Sequence, residues 1–199
     1  MPNILSLNVK EIFINPQGEG ARAGTMNIFI RLAGCNLDCP SCDTDFKNGI
    51  KLTLGEIQSL IQQYFPVKNI IWTGGEPTLQ LTNEIVNWFK EFGYYQAIES
   101  NGTKTIPEGI DYKVLSPKIT EKGLIRYNKK VNELRYPIKY GDKIPKPLVE
   151  ADYYYLSPIF VGVKGNKLSK RNINWVIKLI KENPKWRITV QIHKLLKLR

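Results

Sequence analysis

Apolar residues along the chain follow two rhythms. Short runs rich in β-branched and aromatic side chains predict strands at Val9–Ile14, Asn27–Leu32, Asn69–Trp72, Tyr95–Ser100, Tyr112–Ser116, Leu134–Tyr140, Tyr153–Ser157 and Arg187–Gln191. Between some of them the spacing changes to that of an amphipathic helix. Thr53, with Glu56 three residues later, forms a capping-box signature, and Leu54, Ile57, Leu60, Ile61, Tyr64 and Phe65 follow at helical spacing. A second helix is predicted from about Leu79 to Phe92, with Ile85, Trp88, Phe89 and Phe92 inward and Gly93 as its stop. A third begins near Ser169, carries Ile173, Val176, Ile177 and Ile180, and ends before Pro184.

The early order of strand, loop, helix, strand, helix, strand favours right-handed crossovers in a mostly parallel sheet. Between Asn101 and Lys167 strands follow one another without clear helices. A complete eight-fold barrel takes ~250 residues. With 199 residues, the expectation is an α/β fold in a single domain over 1–199, an incomplete barrel.

At 42% hydrophobic and 24% charged residues, the composition is that of an ordinary globular protein, not a disordered one. No apolar run approaches the ~20 residues of a membrane-spanning helix. The N-terminal residues lack the pattern of a secretory signal, so the cytoplasm is the expected location. The net charge of +11 is uneven. Residues 1–120 hold 10 basic and 12 acidic side chains, whereas residues 121–199 hold 19 and 6. Such asymmetry can mark a nucleic-acid surface. Yet 22 of the 29 cations are scattered Lys and only seven are Arg, the better base and phosphate reader. Solubilising charge is therefore favoured over nucleic-acid binding by roughly two to one.

The three Cys lie within eight residues, in Arg31-Leu-Ala-Gly-Cys35-Asn-Leu-Asp-Cys39-Pro-Ser-Cys42-Asp-Thr44. An odd, tight cluster points to a metal or redox site and away from a disulfide scaffold. The loop follows a predicted strand, where an α/β barrel places its chemistry. Three thiolates at C-x3-C-x2-C spacing can hold three irons of a cubane and leave the fourth open. A simple ferredoxin cluster takes four Cys, and a structural zinc site four protein ligands. The zinc alternative would recruit His193, the only His, from a distant part of the chain.

This spacing resembles the radical S-adenosylmethionine (SAM) superfamily. The resemblance implies that SAM binds the open iron through its amino nitrogen and carboxylate, and that reduction cleaves it to a 5′-deoxyadenosyl radical. Trp72-Thr73-Gly74-Gly75-Glu76-Pro77 stands at the end of another predicted strand and is similar to the motif with which that superfamily holds the SAM amino group. A Gly pair lets backbone approach closely, and a carboxylate accepts from an ammonium. By the same resemblance Ser116 and Lys118 of the Ser-Pro-Lys triplet contact the SAM ribose and carboxylate, with Ser100 and Ser157 as further SAM-side residues.

Other segments bear on the substrate. Gln17-Gly18-Glu19-Gly20 presents an amide and a carboxylate between glycines, a set able to read the donor–acceptor edge of a guanine-like ring. Gln191 and His193 are expected on one face of the last strand. Arg31 could clamp a carboxylate bidentately. With ESNGT, SPK and YYLSPI in order, these segments resemble the 7-carboxy-7-deazaguanine synthase family over nearly the whole chain.

That resemblance implies a compressed radical SAM barrel of approximately β6/α3. It implies a ring-contracting lyase that converts 6-carboxy-5,6,7,8-tetrahydropterin to 7-carboxy-7-deazaguanine with loss of ammonia, regenerating SAM. The cofactors implied are a 4Fe-4S cluster on Cys35, Cys39 and Cys42, SAM, and Mg²⁺ near Thr44. Gln17, Gly18, Glu19, Arg31, Thr73, Gln191 and His193 would hold the pterin substrate. An electron donor such as flavodoxin and a homodimer are the implied partners. The chain departs from the family pattern at Ile192, Ser157, Asp38 and the tail beyond Lys194. Two other classes compete: a radical SAM activase that installs a glycyl radical in a partner protein, and a basic zinc-containing nucleic-acid-binding module.

Overall fold

The computed structural model of the chain describes residues 5–39, 42, 44–162 and 167–198. It is a mixed α/β protein in two compact units, with mostly parallel strands. One unit comprises Met1–Asn15, Met26–Ser100 and Lys104–Lys113, and the other Pro16–Thr25, Asn101–Thr103 and Val114–Arg199.

In the first unit the strand order is β3-β1-β2-β4-β5. β1 (Ser6–Pro16) runs antiparallel to β3 (Ile50–Thr53). β2 (Met26–Leu32), β4 (Asn69–Gly74) and β5 (Tyr95–Ser100) are parallel, with Ile28 opposite Ile70 and Leu32 opposite Gly74. Ile28, Ile30, Leu32, Ile70, Ile71 and Trp72 are fully buried. Such near-continuous apolar runs are what parallel strands covered on both faces require.

Helix α1 (Leu54–Gln62) starts where the capping box was expected. Thr53 Oγ1 accepts from the Glu56 N–H at 3.3 Å, and Glu56 Oε2 accepts from the Thr53 N–H at 2.7 Å. The helix ends before Tyr64 and Phe65, so Phe65 is exposed, as is Leu60. The predicted second helix is divided. Pro77–Leu79 forms a single 3-10 turn capped by Glu76, and α2 (Asn83–Glu91) begins afresh on the Thr82 hydroxyl. α2 buries Ile85, Val86 and Phe89. Phe92, expected inward, caps the helix and is exposed, because the chain turns there. Gly93, at φ 74°, makes that turn: its N–H reaches Lys90 O at 2.9 Å and the Tyr94 N–H reaches Phe89 O at 3.3 Å, a Schellman closure. Beneath α2, fully buried Gln96 accepts from Trp72 Nε1 at 2.9 Å and donates to Val86 O at 2.8 Å.

The remaining strands follow in the order β6-β7-β8-β9, all parallel, with β7, β8 and β9 wholly in the second unit. These are β6 (Tyr112–Leu115), β7 (Lys130–Ile138), β8 (Glu150–Pro158) and β9 (Trp186–Ile188). α3 (Glu121–Tyr127), capped by Thr120, lies in the stretch read as helix-free. Its one fully buried apolar side chain, Leu124, gives no periodicity to detect. α4 (Lys170–Glu182) begins on Ser169 as expected and packs on β8 and β9. Its buried residues are Asn172, Val176 and Leu179, while Ile177 is exposed.

The last predicted strand needs correction. β9 stops at Ile188, and Gln191 caps a short helix, α5 (Ile192–Leu195). Thr189 still donates its N–H to Leu156 O at 3.1 Å, but Ile192 donates to Gly18 O at 3.0 Å, drawing the chain out of the sheet. Gln191 and His193 therefore do not share a strand face.

Candidate active site

The cysteine loop leaves β2 in the first unit. None of the three Cys is in a disulfide; Cys42 is exposed and the others are half-buried. Cys42 N–H donates to Cys39 O at 3.0 Å, and Cys42 Sγ donates to Thr44 O at 3.7 Å, so the second and third cysteines are tied together through the backbone. Pro40, Ser41 and Asp43, including the middle of the Cys-Asp-Thr triplet, lie outside the described residues. Both ends of the loop are braced. Gln80 Nε2 donates to Ala33 O at 2.8 Å and its Oε1 accepts from the Asn8 N–H at 2.7 Å. Downstream, Lys10 Nζ donates to Asp45 Oδ2 at 2.7 Å and to Lys47 O at 2.8 Å. The Lys10 bond, with the Lys47 N–H, holds the Asp45 carboxyl below its ordinary range.

The glycine pair lies directly against this loop. A Cβ on Gly74, at φ 132°, would collide with the backbone of Leu32, and one on Gly75 would collide with the Gly34 carbonyl. The Gly75 N–H donates to Leu32 O at 3.2 Å and the Glu76 N–H to Gly34 O at 2.9 Å. The glycines thus let the end of β4 close onto the start of the cysteine loop. Glu76 is fully buried. Its Oε1 accepts from the Thr78 N–H at 3.0 Å, the Thr78 hydroxyl at 2.6 Å and the Ser100 hydroxyl at 2.9 Å. Two predicted SAM-side residues, Glu76 and Ser100, are therefore in direct contact. Arg31 stands opposite Thr73 in the β2–β4 register. Its Nε donates to Glu11 Oε1 at 2.7 Å, which fixes the guanidinium plane.

The second unit carries the other residues. The Gln17 N–H donates to Thr25 O at 2.8 Å and the Gly24 N–H to Gln17 O at 2.9 Å, closing a loop around Gly18–Gly20. A Cβ on Gly18 would collide with the His193 imidazole, so the QGEG loop and the C-terminal segment meet there. Glu19 Oε2 accepts from Arg135 Nη1 at 3.1 Å, and Ser157 Oγ donates to Glu19 Oε1 at 3.5 Å. Ser157, predicted on the SAM side, is thus placed beside a predicted substrate residue. Lys118 Nζ donates to Ser116 Oγ at 3.5 Å, and the Lys118 N–H to Asn101 O at 3.3 Å.

Gln80, Glu11, Glu133, Arg135 and Thr189 were not singled out from the sequence. Glu133 and Arg135 did carry a signal: two opposite charges two residues apart in an apolar strand share one face. Burial pushes the nearby Tyr155 phenol above its ordinary range, although a hydrogen bond with Arg187 opposes this. Among the described residues no three His, Cys, Asp or Glu side chains assemble as a metal-holding group, and no helix is long and apolar enough to cross a membrane. The donor chemistry nonetheless suits an iron–sulfur cluster: three thiols on one short loop, none committed to a disulfide.

Comparison with known proteins defines the class and then the family. The crystal structure of QueE from Escherichia coli matches with a TM-score of 0.71 at 20% identity, covering 94% of this chain and 95% of that one. This likeness shows the fold, the α/β class expected above. No protein-family model matches. A 7-carboxy-7-deazaguanine synthase from Haemophilus influenzae is 37% identical over 203 residues, covering 96% of this chain and 93% of its own length. The enzyme of that name from Bacteroides thetaiotaomicron is 35% identical over 192 residues, covering 96% and 98%. The chain is an enzyme of the radical SAM lyase kind. It belongs to the 7-carboxy-7-deazaguanine synthase family. The activase alternative finds no support in these relatives.

Proposed function

We propose that the chain works as one radical SAM domain that converts 6-carboxy-5,6,7,8-tetrahydropterin to 7-carboxy-7-deazaguanine with loss of ammonia, for queuosine- or archaeosine-type biosynthesis. The observation that carries this to its own residues is the closure of the QGEG loop on the C-terminal segment. Gly18 seats on the His193 imidazole and the Glu19 carboxylate is held by Arg135. An amide, a carboxylate and an imidazole on adjoining backbone form the donor–acceptor set that a pterin edge needs.

Cys35, Cys39 and Cys42 would hold a 4Fe-4S cluster through three thiolates. When bound, cluster and SAM supply one-electron cleavage and a carbon-centred radical. The chain's part is to bind and orient. Glu76 would accept from the SAM ammonium, beside Gly74, Gly75 and Ser100. Ser116 and Lys118 offer a hydroxyl and an ammonium to ribose and carboxylate. Arg31, fixed through Nε by Glu11, would offer its terminal nitrogens to the substrate carboxylate; Thr73, Gln17, Gln191 and His193 would supply further substrate contacts. Thr44 would share a Mg²⁺ with carboxylate oxygens and waters, a suitable hard ligand set. A flavodoxin-like electron donor and a cytoplasmic homodimer belong to the same reading and rest on family resemblance.

The test is anaerobic reconstitution followed by mass spectrometry with SAM, reductant, Mg²⁺ and the pterin. About four irons per chain and 7-carboxy-7-deazaguanine are expected, and Cys39→Ala should lose both cluster and turnover. Cluster and SAM cleavage without that product would defeat the substrate assignment. One tight zinc and no cluster would defeat the radical reading.

A further inference from the structure

β7 sends two charged side chains from one face toward the QGEG loop, and neither belongs to the residue set assigned above. Glu133 is fully buried and Arg135 nearly so. Arg135 Nε donates to Glu133 Oε2 at 3.0 Å, while its Nη1 donates to Glu19 Oε2 at 3.1 Å. One planar guanidinium therefore spans two carboxylates. Glu133 also grips the loop backbone, because its Oε1 accepts from the Ala21 N–H at 3.0 Å. The Gly20 N–H donates to Thr189 Oγ1 at 2.9 Å, and a Cβ on Gly20 would collide with the Glu133 carboxylate. The loop is thus held by its backbone and by the side chain of Glu19 at once.

The geometry points to Arg135 as a positioning residue that sets the Glu19 carboxylate for recognition of the amino-pyrimidinone edge of the substrate, with Glu133 as its counter-charge. This rests on the reading of Glu19 as a ring contact. A carboxylate offers about four lone-pair sites. Arg135 and Ser157 occupy one on each oxygen, leaving the remainder for two ring N–H donors. Lys is a point charge without a planar fork and would not bridge the two carboxylates in the same way.

The experiment uses the reconstituted holoenzyme and compares wild type with Arg135→Met, Arg135→Lys, Glu19→Gln and the Arg135→Met/Glu19→Gln double variant. KM and kcat are measured for the carboxytetrahydropterin and for an analogue lacking the 2-amino group. Arg135→Met should raise KM about tenfold or more, the size of a lost charge-assisted bond, and should erode the preference for the amino-bearing ring. Lys should not restore it. In the Glu19→Gln background the same change should add less than about twofold, since the arginine acts through Glu19. Because Arg135→Met removes a counter-charge from the buried Glu133, an Arg135→Met/Glu133→Gln pair is read in the same way if the single variant does not fold. An unchanged KM and preference, or equal losses in both backgrounds, would overturn the inference while wild-type turnover leaves the parent reading intact. Wild-type protein that neither binds nor converts the pterin overturns both.

Discussion

Where β2 and β4 end, Gly74 and Gly75 press on the backbone of Leu32 and Gly34; where the QGEG loop turns, Gly20 faces the carboxylate of Glu133. Both places need glycine, yet for different reasons. The cysteine loop is seated by main chain against main chain, which cannot yield. The QGEG loop is seated by buried charge, which can shift if its partners shift. The first arrangement suits a cofactor that must sit in one place. The second suits a contact that discriminates between ring edges by hydrogen bonding.

That contrast can be broken by adding one methyl group at each place. Gly75→Ala meets the Gly34 carbonyl and must move the cysteine loop. Iron retention should fall, and turnover should drop by about 100-fold, the cost expected of a displacement near 1 Å at a reacting centre. Iron analysis with single-turnover kinetics checks this, and full iron with full rate would show that the close approach is dispensable. Gly20→Ala forces an alanine to φ 74° beside Glu133. It should cost about 1–2 kcal/mol of stability from the backbone alone and raise KM for the pterin, while cluster content stays normal. Thermal melts and saturation kinetics separate the two effects.

A smaller effect concerns pH. The Lys10 bond lowers the folded-state carboxyl value of Asp45. A group lowered on folding contributes stability above its unfolded value and loses it as pH falls through the folded one. The brace on the cysteine loop should therefore be intact at neutral pH and weaken only in acid. NMR titration of Asp45 should give a value below the ordinary carboxylate range, returning toward it in Lys10→Met; identical titrations would remove the brace from the account.

The same contrast explains what could be read from the chain. The cysteine spacing, the Gly-Gly-Glu-Pro turn and the buried runs of β2 and β4 are local patterns, and local patterns survive in sequence. The capping box at Thr53 and Glu56 is legible for that reason. The division of the second helix was not, because Gln80 engages Asn8 and Ala33, 72 and 47 residues away. Arg135 was missed because its bond to Glu19 spans 116 positions. The end of β9 was misplaced because Gly18, far earlier in the chain, takes the Ile192 N–H. Alternating Gln191 and His193 looks like strand until that partner is known.

The central claim is a division of labour: the cysteine loop and the Gly-Gly-Glu-Pro turn serve radical generation, and the QGEG loop with the C-terminal segment selects the ring. The most direct measurement is the ratio of 5′-deoxyadenosine to 7-carboxy-7-deazaguanine formed by Glu19→Gln under a strong chemical reductant, against wild type. The account predicts product reduced about tenfold or more, the loss expected for a charge-assisted hydrogen bond, with reductive SAM cleavage and iron content retained. Equal loss of both activities with normal iron would contradict it.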